Sequence, residues 1–238
     1  MTFCPKCGIE FEGEPAFCPS CGHSLRKSGN RPARGGSDAR AGDHLSLGFN
    51  IAMANPIVFA PVIIGGLISS AIQVWGRQPL SQSGYVPVVF IGSLISIVGA
   101  VVSFILNFAA IDMARDAYTN EQLDMGRSFS YASGRILTFF MASIVAGILS
   151  ITIILIPVAI LMMVIIVVEE TGIVDALSLS FGVLGRDFGD IIVILLVAII
   201  GYALLGWVPL VGGLLASGFS IVLDLAFIDI YDHYRKGN

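Results

Sequence analysis

Long apolar runs constrain this chain more than any other feature of its sequence. They hold few charged residues and cover residues 56–75, 86–111, 135–168, 189–207 and 210–231. A helix of about 20 apolar residues crosses the roughly 30 Å hydrocarbon core of a bilayer. Only 13% of all residues are charged, about half the share of typical globular chains. The sequence therefore predicts an all-α polytopic membrane domain over residues 43–238.

The number of spans follows from the third run and from the positions of the basic residues. Residues 135–168 are too long for one span and are interrupted by Pro157, so we interpret them as a hairpin of roughly 136–153 and 157–170. A single kinked helix, which gives five spans, is the alternative. Lysine and arginine are enriched on the cytosolic side of membrane proteins. Six spans, but not five, place one set of basic residues on the side of the N-terminal segment: Arg115, Arg127, Arg135, Arg186, Arg235 and Lys236.

We therefore predict six transmembrane helices in the cell membrane, with cytoplasmic N- and C-termini. Short segments also recur around the predicted hairpins. Asp43–Phe49 (DHLSLGF) and Asp175–Phe181 (DALSLSF) precede the first and last hairpins, which end in Leu106–Asp112 (LNFAAID) and Leu223–Asp229 (LDLAFID). The first two segments have the apolar spacing of amphipathic helices that lie in the membrane interface. A weaker match at Ser128–Phe129 completes a predicted internal repeat of three amphipathic-helix-plus-hairpin units.

The same region carries a resemblance to known proteins. The acidic segment Glu169–Gly172 (EETG), followed by Asp175–Phe181, resembles a broad family of six-helix membrane domains. This family includes the membrane domain of some glycerophosphodiester phosphodiesterases and archaeal membrane proteins of unknown function. The resemblance covers most of residues 43–235 and implies a fold and a membrane location. It implies no phosphodiesterase activity, because the catalytic barrel of those enzymes has no counterpart in this sequence.

Residues 1–25 contain two Cys-Pro-x-Cys-Gly motifs, which hold all four cysteines of the chain: Cys4, Cys7, Cys18 and Cys21. A two-residue gap allows one tight turn to direct two thiolates at a single ion, and four thiolates in a tetrahedral array favour Zn²⁺ over the softer alternative, iron. A segment of about 25 residues cannot build an adequate apolar core, so the metal must supply most of its folding free energy. Two disulfides or a redox motif are the alternative interpretation.

The segment FCPKCGIEFEGEPAFCPSCGHSL, residues 3–25, resembles the short zinc ribbons at the ends of many archaeal and bacterial proteins. The resemblance implies a small N-terminal β zinc ribbon with a structural zinc and a surface that binds protein or nucleic acid. It does not imply catalysis, since four protein ligands leave no open coordination position.

Residues 26–42 separate the cysteine segment from the apolar runs. They are rich in Gly, Ser, Pro and Arg and have no apolar period, which predicts a flexible basic linker. Its positive charges suit the cytosolic side and anionic lipid headgroups. Binding of RNA or DNA is the alternative, and we do not expect it because no aromatic residues are interleaved with the basic ones.

Asp224 is the ionisable residue that lies deepest in an apolar run. A charged group at the centre of a bilayer costs about 3 kcal/mol or more, and such a residue is a functional candidate by default. The alternative is that Asp224 forms a hydrogen bond to a neighbouring helix or reaches the headgroups. Asp112 and Asp229 are expected at the interface, and Glu169 and Glu170 at the cytosolic end of the fourth span.

These features predict a non-enzymatic integral membrane protein, in which a cytosolic zinc ribbon recruits a protein partner or regulates the membrane domain. A transporter of a small solute or ion, with Asp224 on the pathway, is the alternative. The chain has three histidines and lacks the HExxH, GxSxG and phosphate-loop motifs, so no catalytic or cofactor-binding residue is predicted. The predicted metal ligands are the four cysteines.

Overall fold

The computed structural model describes residues 2–3, 10–11, 40–76, 86–208 and 212–237 of the 238-residue chain. Near the N-terminus, strands β1 (Thr2–Phe3) and β2 (Glu10–Phe11) pair antiparallel, with Thr2 opposite Phe11. The four cysteines and residues 12–39 lie outside the described residues. The predicted zinc site and most of the predicted linker therefore stay predictions.

From residue 40 onward the described chain is almost entirely helical, which confirms the predicted all-helical domain. Two short 3₁₀ turns, Pro56–Phe59 and Ile153–Leu155, introduce the second and sixth α-helices. In chain order the α-helices are α1 (Ala41–Ala54), α2 (Ala60–Gly76), α3 (Val86–Thr119), α4 (Met125–Gly134), α5 (Ile136–Leu149), α6 (Ile156–Val168), α7 (Ile173–Arg186), α8 (Phe188–Gly206) and α9 (Gly212–Lys236).

Three helical segments are each long and apolar enough to cross a membrane: Gly92–Thr119, Phe188–Gly206 and Gly212–Lys236. The number rises to five if two bent pairs each count as one span. Ala41–Ala54 meets Pro56–Ile72 at 98°, and α4 meets α5 at 73°. Helices of this length and apolarity make the chain compatible with a membrane protein, while the number of six spans stays a prediction.

Residues 135–168 form two helices rather than one. α5 and α6 are separated by the turn at 150–155 and pack against each other. Pro157 is the second residue of α6, a position where its missing N–H removes no intrahelical hydrogen bond. This arrangement favours the predicted hairpin over a single kinked helix. The two helices contain 14 and 13 residues, so each is only about 20 Å long.

Three helices form the centre of the domain, because α3, α6 and α9 all contact one another. α2 packs on α3, α5 on α6 and α8 on α9, outside this centre. Leu161, Ile165 and Phe227 of the central helices are buried, whereas large apolar side chains of α5 and α8 such as Leu137 and Leu196 are exposed. Water-soluble proteins rarely expose extended apolar faces, so these outer helices suit a lipid environment.

The short helices α1, α4 and α7 pack on the central helices α9, α3 and α6, respectively. Their contacts lie near one end of the domain, as ties between α1 and α8 and between α4 and α3 show. α1 approaches α9 closely at Gly48, where an added Cβ would lie 2.7 Å from the carbonyl oxygen of Val222. A glycine is needed there because any side chain would meet the backbone of α9.

Local backbone features mark where α3 and α6 end and where α4 begins. The carboxylate of Asp124 accepts the amide N–H groups of Gly126 and Arg127, at 2.9 and 3.2 Å, and caps α4. Asn120, the residue after α3, has φ of 56°, and the Glu121 amide donates back to the carbonyl of Asp116 at 2.8 Å. Glu170 has φ of 52° between α6 and α7. The helix ends therefore bring charged residues together.

Candidate functional site

Every lysine and arginine of the described residues lies at one end of the helical domain, which we term the charged end. It is formed by the C-terminal ends of α3 and α9, the start of α1, α4 and the turn between α6 and α7. Contacts across these elements place the basic residues there: Arg40, Arg115, Arg127, Arg135, Arg186, Arg235 and Lys236. The candidate site consists of two polar clusters at this end.

The arginine cluster consists of Asp112, Arg115, Asp116, Arg127 and Glu170. The Arg115 guanidinium forms ion pairs with Asp112, with Asp116 (3.5 Å) and with Glu170 (3.3 Å), and donates to the carbonyl of Val167 at 2.9 Å. Asp112 and Asp116 are almost completely buried. Buried charges are tolerated when they are paired and hydrogen-bonded, so this cluster links α3 to the C-terminal end of α6.

Two arginines at the ends of α4, Arg127 within the arginine cluster and Arg135 beside it, bind neighbouring segments. Arg127 of α4 pairs with the buried carboxylate of Asp116 and donates to the carbonyl of Gln122 at 2.9 Å. Arg135 donates to the Tyr131 hydroxyl and to the carbonyl of Thr171, both at 3.0 Å. Tyr131 lies on α4, outside the long apolar helices, and burial raises the pKa of its phenol to about 12. It is therefore neutral at physiological pH and accepts from Arg135.

The histidine cluster consists of His44, Tyr118, Asp229, Asp232 and His233, and its centre is the buried carboxylate of Asp229. One oxygen of Asp229 lies 2.6 Å from Nδ1 of His44, and the other accepts from the Tyr118 hydroxyl at 2.6 Å. Tyr118 also contacts Asp232 at 3.1 Å. Because the partners come from α1, α3 and α9, this carboxylate ties three helices together.

His233 completes the cluster from one turn further along α9. Its Nδ1 lies 2.9 Å from the carbonyl oxygen of Asp229 and 3.6 Å from the carboxylate of the same residue. A carbonyl only accepts hydrogen bonds, so Nδ1 of His233 carries a proton in this contact. The rings of His233 and His44 meet edge to face, with centroids 5.2 Å apart. Two imidazoles and a carboxylate are therefore adjacent, a set of side chains able to hold a metal ion.

Ion pairs at the surface of the charged end are more exposed. Lys236 pairs with Asp232 at 2.7 Å, and Arg235 pairs with Glu169 at 2.7 Å. Arg186 donates to the carbonyl of Tyr234 at 3.3 Å. These contacts connect the last turn of α9 to α7 and to the turn after α6. Exposed ion pairs of this kind each contribute little to the stability of the fold. These contacts lie around the two buried clusters.

The structure brings together some of the residues that the sequence singled out. Asp112 and Asp229, which were expected at the interface, are buried in the arginine and histidine clusters. Glu169 and Glu170 lie at the end of α6 as expected, and each binds an arginine of a neighbouring helix. Asp224 is separate: it is half-buried on α9, in the apolar part of the domain.

Sequence reasoning missed the histidines and Tyr118 as site residues. His44 and Asp229 are 185 positions apart, and Tyr118 and Asp229 are 111 positions apart. A signal was nevertheless present, since Asp112 and Asp229 end the two matching segments LNFAAID and LDLAFID. One turn after each of them follows a group able to pair with it, Arg115 and His233. An acidic residue followed three or four positions later by a basic residue is visible in the sequence. This pattern indicates that the two side chains pair at a polar helix end.

The predicted zinc ligands Cys4, Cys7, Cys18 and Cys21 lie outside the described residues. Comparisons with protein-family models, with curated proteins and with solved structures found no significant match to this chain. The resemblances to zinc ribbons and to six-helix membrane domains therefore stay predictions. The geometry of the charged end is the basis for the functional argument.

Proposed function

We propose that this chain is a non-enzymatic integral membrane protein that holds its N-terminal cysteine segment at the cytosolic face of the cell membrane. The position of the basic side chains carries the proposal, since all those of the described residues lie at the charged end. An excess of lysine and arginine is typical of the cytosolic side of membrane proteins. α1 begins at the same end, where the Ala41 amide donates to Asp190 at 2.8 Å. The chain before residue 40 therefore leaves the helical domain on this side.

In this proposal six helices cross the membrane: α2, α3, α5, α6, α8 and α9. Each pair follows a short interfacial helix, which gives three amphipathic-helix-plus-hairpin units related by an internal repeat. Two observations support this arrangement. Each short helix packs mainly on one central helix, and the outer helices expose apolar side chains. Both termini are then cytoplasmic, because α9 ends among the charged residues at the same end where α1 begins.

The cysteine segment supplies the activity in this proposal. Cys4, Cys7, Cys18 and Cys21 hold a structural Zn²⁺, and residues 1–25 recruit a cytosolic protein or regulate the membrane domain. The helical domain serves as a scaffold, and the polar contacts that join α1 to α9, α3 to the turn after α6, and α9 to the same turn suit a rigid anchor. A scaffold needs no catalytic group.

Topology is tested with single cysteines in a full-length chain whose four native cysteines are replaced by serine. A membrane-impermeant maleimide is applied to intact cells and to lysed cells. Cysteine at Gly237 is expected to react only after lysis, and cysteine at Ser81, between α2 and α3, is expected to react in both samples. Equal labelling of both positions in intact cells would contradict the proposed topology.

Recruitment is tested by proximity labelling from the N-terminus of the full-length chain in living cells. Proteins captured by the unmodified chain should be lost when the four cysteines are replaced by serine. Gly185→Ala is a suitable control, because an added Cβ meets no atom within 4 Å there, and its capture should match that of the unmodified chain. An unchanged capture pattern in the serine variant would rule out recruitment through the cysteine segment.

Transport is the second candidate, and the position of Asp224 favours it. Asp224 is the one charged side chain of the described residues that lies in the apolar part of the domain, and it is half-buried. Intramembrane carboxylates often carry protons or cations. Proton flux into proteoliposomes, followed with an enclosed pH-sensitive dye, should then fall at least tenfold in Asp224→Asn. The exposed Asp175→Asn is the control, and equal flux in both variants excludes Asp224 from a pathway.

A further inference from the structure

We propose that the histidine cluster binds a divalent transition-metal ion, with His44, Asp229 and His233 as its ligands. One donor atom from each of these residues lies within 4.8 Å of the other two. Asp229 and His233 are one helical turn apart on α9, so both side chains emerge on the same face. His44 reaches them from α1 because Gly48, one turn further along α1, allows close packing on α9.

The donor set selects the class of ion. Two imidazole nitrogens and one carboxylate oxygen suit Zn²⁺ and other first-row transition metals, whereas Mg²⁺ and Ca²⁺ prefer oxygen donors alone. Ligands about 2.0–2.1 Å from a tetrahedral ion are about 3.3 Å apart. The present separations, from 2.6 Å between His44 and Asp229 to the limit of 4.8 Å, bracket this value. Small side-chain rotations would therefore bring all three donors to one ion.

Neighbouring groups already orient the central ligand. The Tyr118 hydroxyl donates to Asp229 at 2.6 Å and also contacts Asp232, which Lys236 holds at 2.7 Å. Hydrogen bonds of this kind fix metal ligands and typically affect affinity by 10- to 100-fold. The two carboxylates, Asp229 and Asp232, lie beside a single ammonium group, that of Lys236. The cluster therefore attracts a cation before any ligand has moved.

The cluster also has a path for entry and an open position. His44 and Asp229 are buried, whereas the side chain of His233 is 19% exposed. An ion can therefore reach the three donors from the side of His233. Three protein ligands leave a fourth position open for water or another ligand. A bound ion would hold α1, the helix that follows the cysteine segment, against α9.

The test compares zinc bound by full-length proteins that were purified in detergent, stripped with a chelator, reloaded with Zn²⁺ and desalted. The unmodified chain should retain one more zinc equivalent than Asp229→Asn or His44→Gln. His23→Gln is the matched control, since His23 is the one other histidine of the chain, and it should retain as much zinc as the unmodified chain. Equal zinc content in all four proteins would overturn the proposal.

A second measurement separates this site from the four cysteines. The full-length chain with Cys4, Cys7, Cys18 and Cys21 replaced by serine should still bind one Zn²⁺, and adding Zn²⁺ should raise its melting temperature. In that chain Tyr118→Phe should weaken zinc binding about tenfold, because it removes the hydroxyl that donates to Asp229 and contacts Asp232. Absence of zinc binding by the serine chain, or no change in its melting temperature, would overturn the proposal even if a histidine variant fails to fold.

Discussion

At the residue scale, Arg115 shows how the charged end is held together. Its guanidinium serves three carboxylates and one carbonyl, and its side chain is only 10% exposed. Removing one partner from a buried ion pair leaves an uncompensated charge, which costs more than the pair itself contributes. Arg115 therefore helps to neutralise both acids of α3, Asp112 and Asp116, and Arg127 also pairs with Asp116.

We expect Arg115→Met to destabilise the folded protein by about 3–5 kcal/mol, because Asp112 and Asp116 would remain buried. Arg235→Met is the matched change at a pair with Glu169 whose arginine is 41% exposed, and it should cost less than about 1 kcal/mol. Both are measured as shifts in thermal melting of the detergent-purified protein. Similar shifts in melting temperature for the two variants would show that burial of the ion pair does not determine the cost of losing its arginine.

Glu170 allows the backbone and the side chain to be tested separately. Its φ of 52° is in the left-handed region, which costs an L residue other than glycine about 1–2 kcal/mol. Glu170→Gly and Glu170→Ala both remove the ion pair with Arg115, but only glycine relieves the backbone strain. The glycine variant should therefore melt at the higher temperature, by an amount that corresponds to about 1 kcal/mol. Equal melting of both variants would show that no strain is stored there.

Sequence reasoning placed acidic and basic residues at helix ends but did not predict which of them pair. The spacing of Asp112 and Arg115, or of Asp229 and His233, is local and readable from the sequence. The contact of His44 with Asp229 is not, because it depends on α1 crossing α9, and no local pattern encodes which helices meet. The aspartates were therefore expected at the interface, whereas their partners allow them to be buried.

At the scale of elements, the packing of α1 on α9 depends on one small residue. Gly48→Ala would place a Cβ 2.7 Å from the backbone of α9, so the helices must separate. We expect a cost of about 1–3 kcal/mol, and weaker zinc binding if His44 moves away from Asp229. Gly185→Ala, in open space on α7, should be neutral or stabilising by up to about 1 kcal/mol. The measurement is thermal melting of both variants, and a neutral Gly48→Ala would contradict the close approach.

The apolar runs located the helices well but not their ends. The run at 86–111 belongs to a helix that continues to Thr119, because its charged last turns are paired in the two clusters. The run at 210–231 likewise belongs to a helix that ends at Lys236. Hydrophobicity marks the part of a helix that suits lipid, whereas helix ends depend on backbone caps such as Asn120 and on tertiary contacts.

At the scale of the whole molecule, the helical hairpins differ in the length of their helices. α3 and α9 contain 34 and 25 residues, whereas α5 and α6 contain 14 and 13. The turn between α5 and α6 exposes apolar side chains, with Ile151 at 81% and Ile154 at 70%. An apolar tip on a short hairpin suits the acyl-chain region of the bilayer.

We therefore expect cysteine at Ile154, in the chain with serine at its four native cysteine positions, to resist a hydrophilic maleimide from both sides of the membrane. A spin label at this position should instead be relaxed by molecular oxygen, which concentrates in the hydrocarbon. Cysteine at Ser81, in the segment between α2 and α3, is the reference, since the proposed topology predicts that it reacts from the external side. Rapid reaction at residue 154 from the external side would place the tip of the hairpin in water and contradict this expectation.

The short middle hairpin has a consequence for the lipids around the protein. A bilayer responds to spans of unequal hydrophobic length by local thinning or by tilting the protein, at a cost of a fraction of a kcal/mol for each ångström of mismatch. With helices of about 20 Å beside much longer ones, this domain would deform its surroundings asymmetrically, thinner on the side of α5 and α6. Such a protein would gather at already thin or curved membrane regions, and a second copy could share the same deformation.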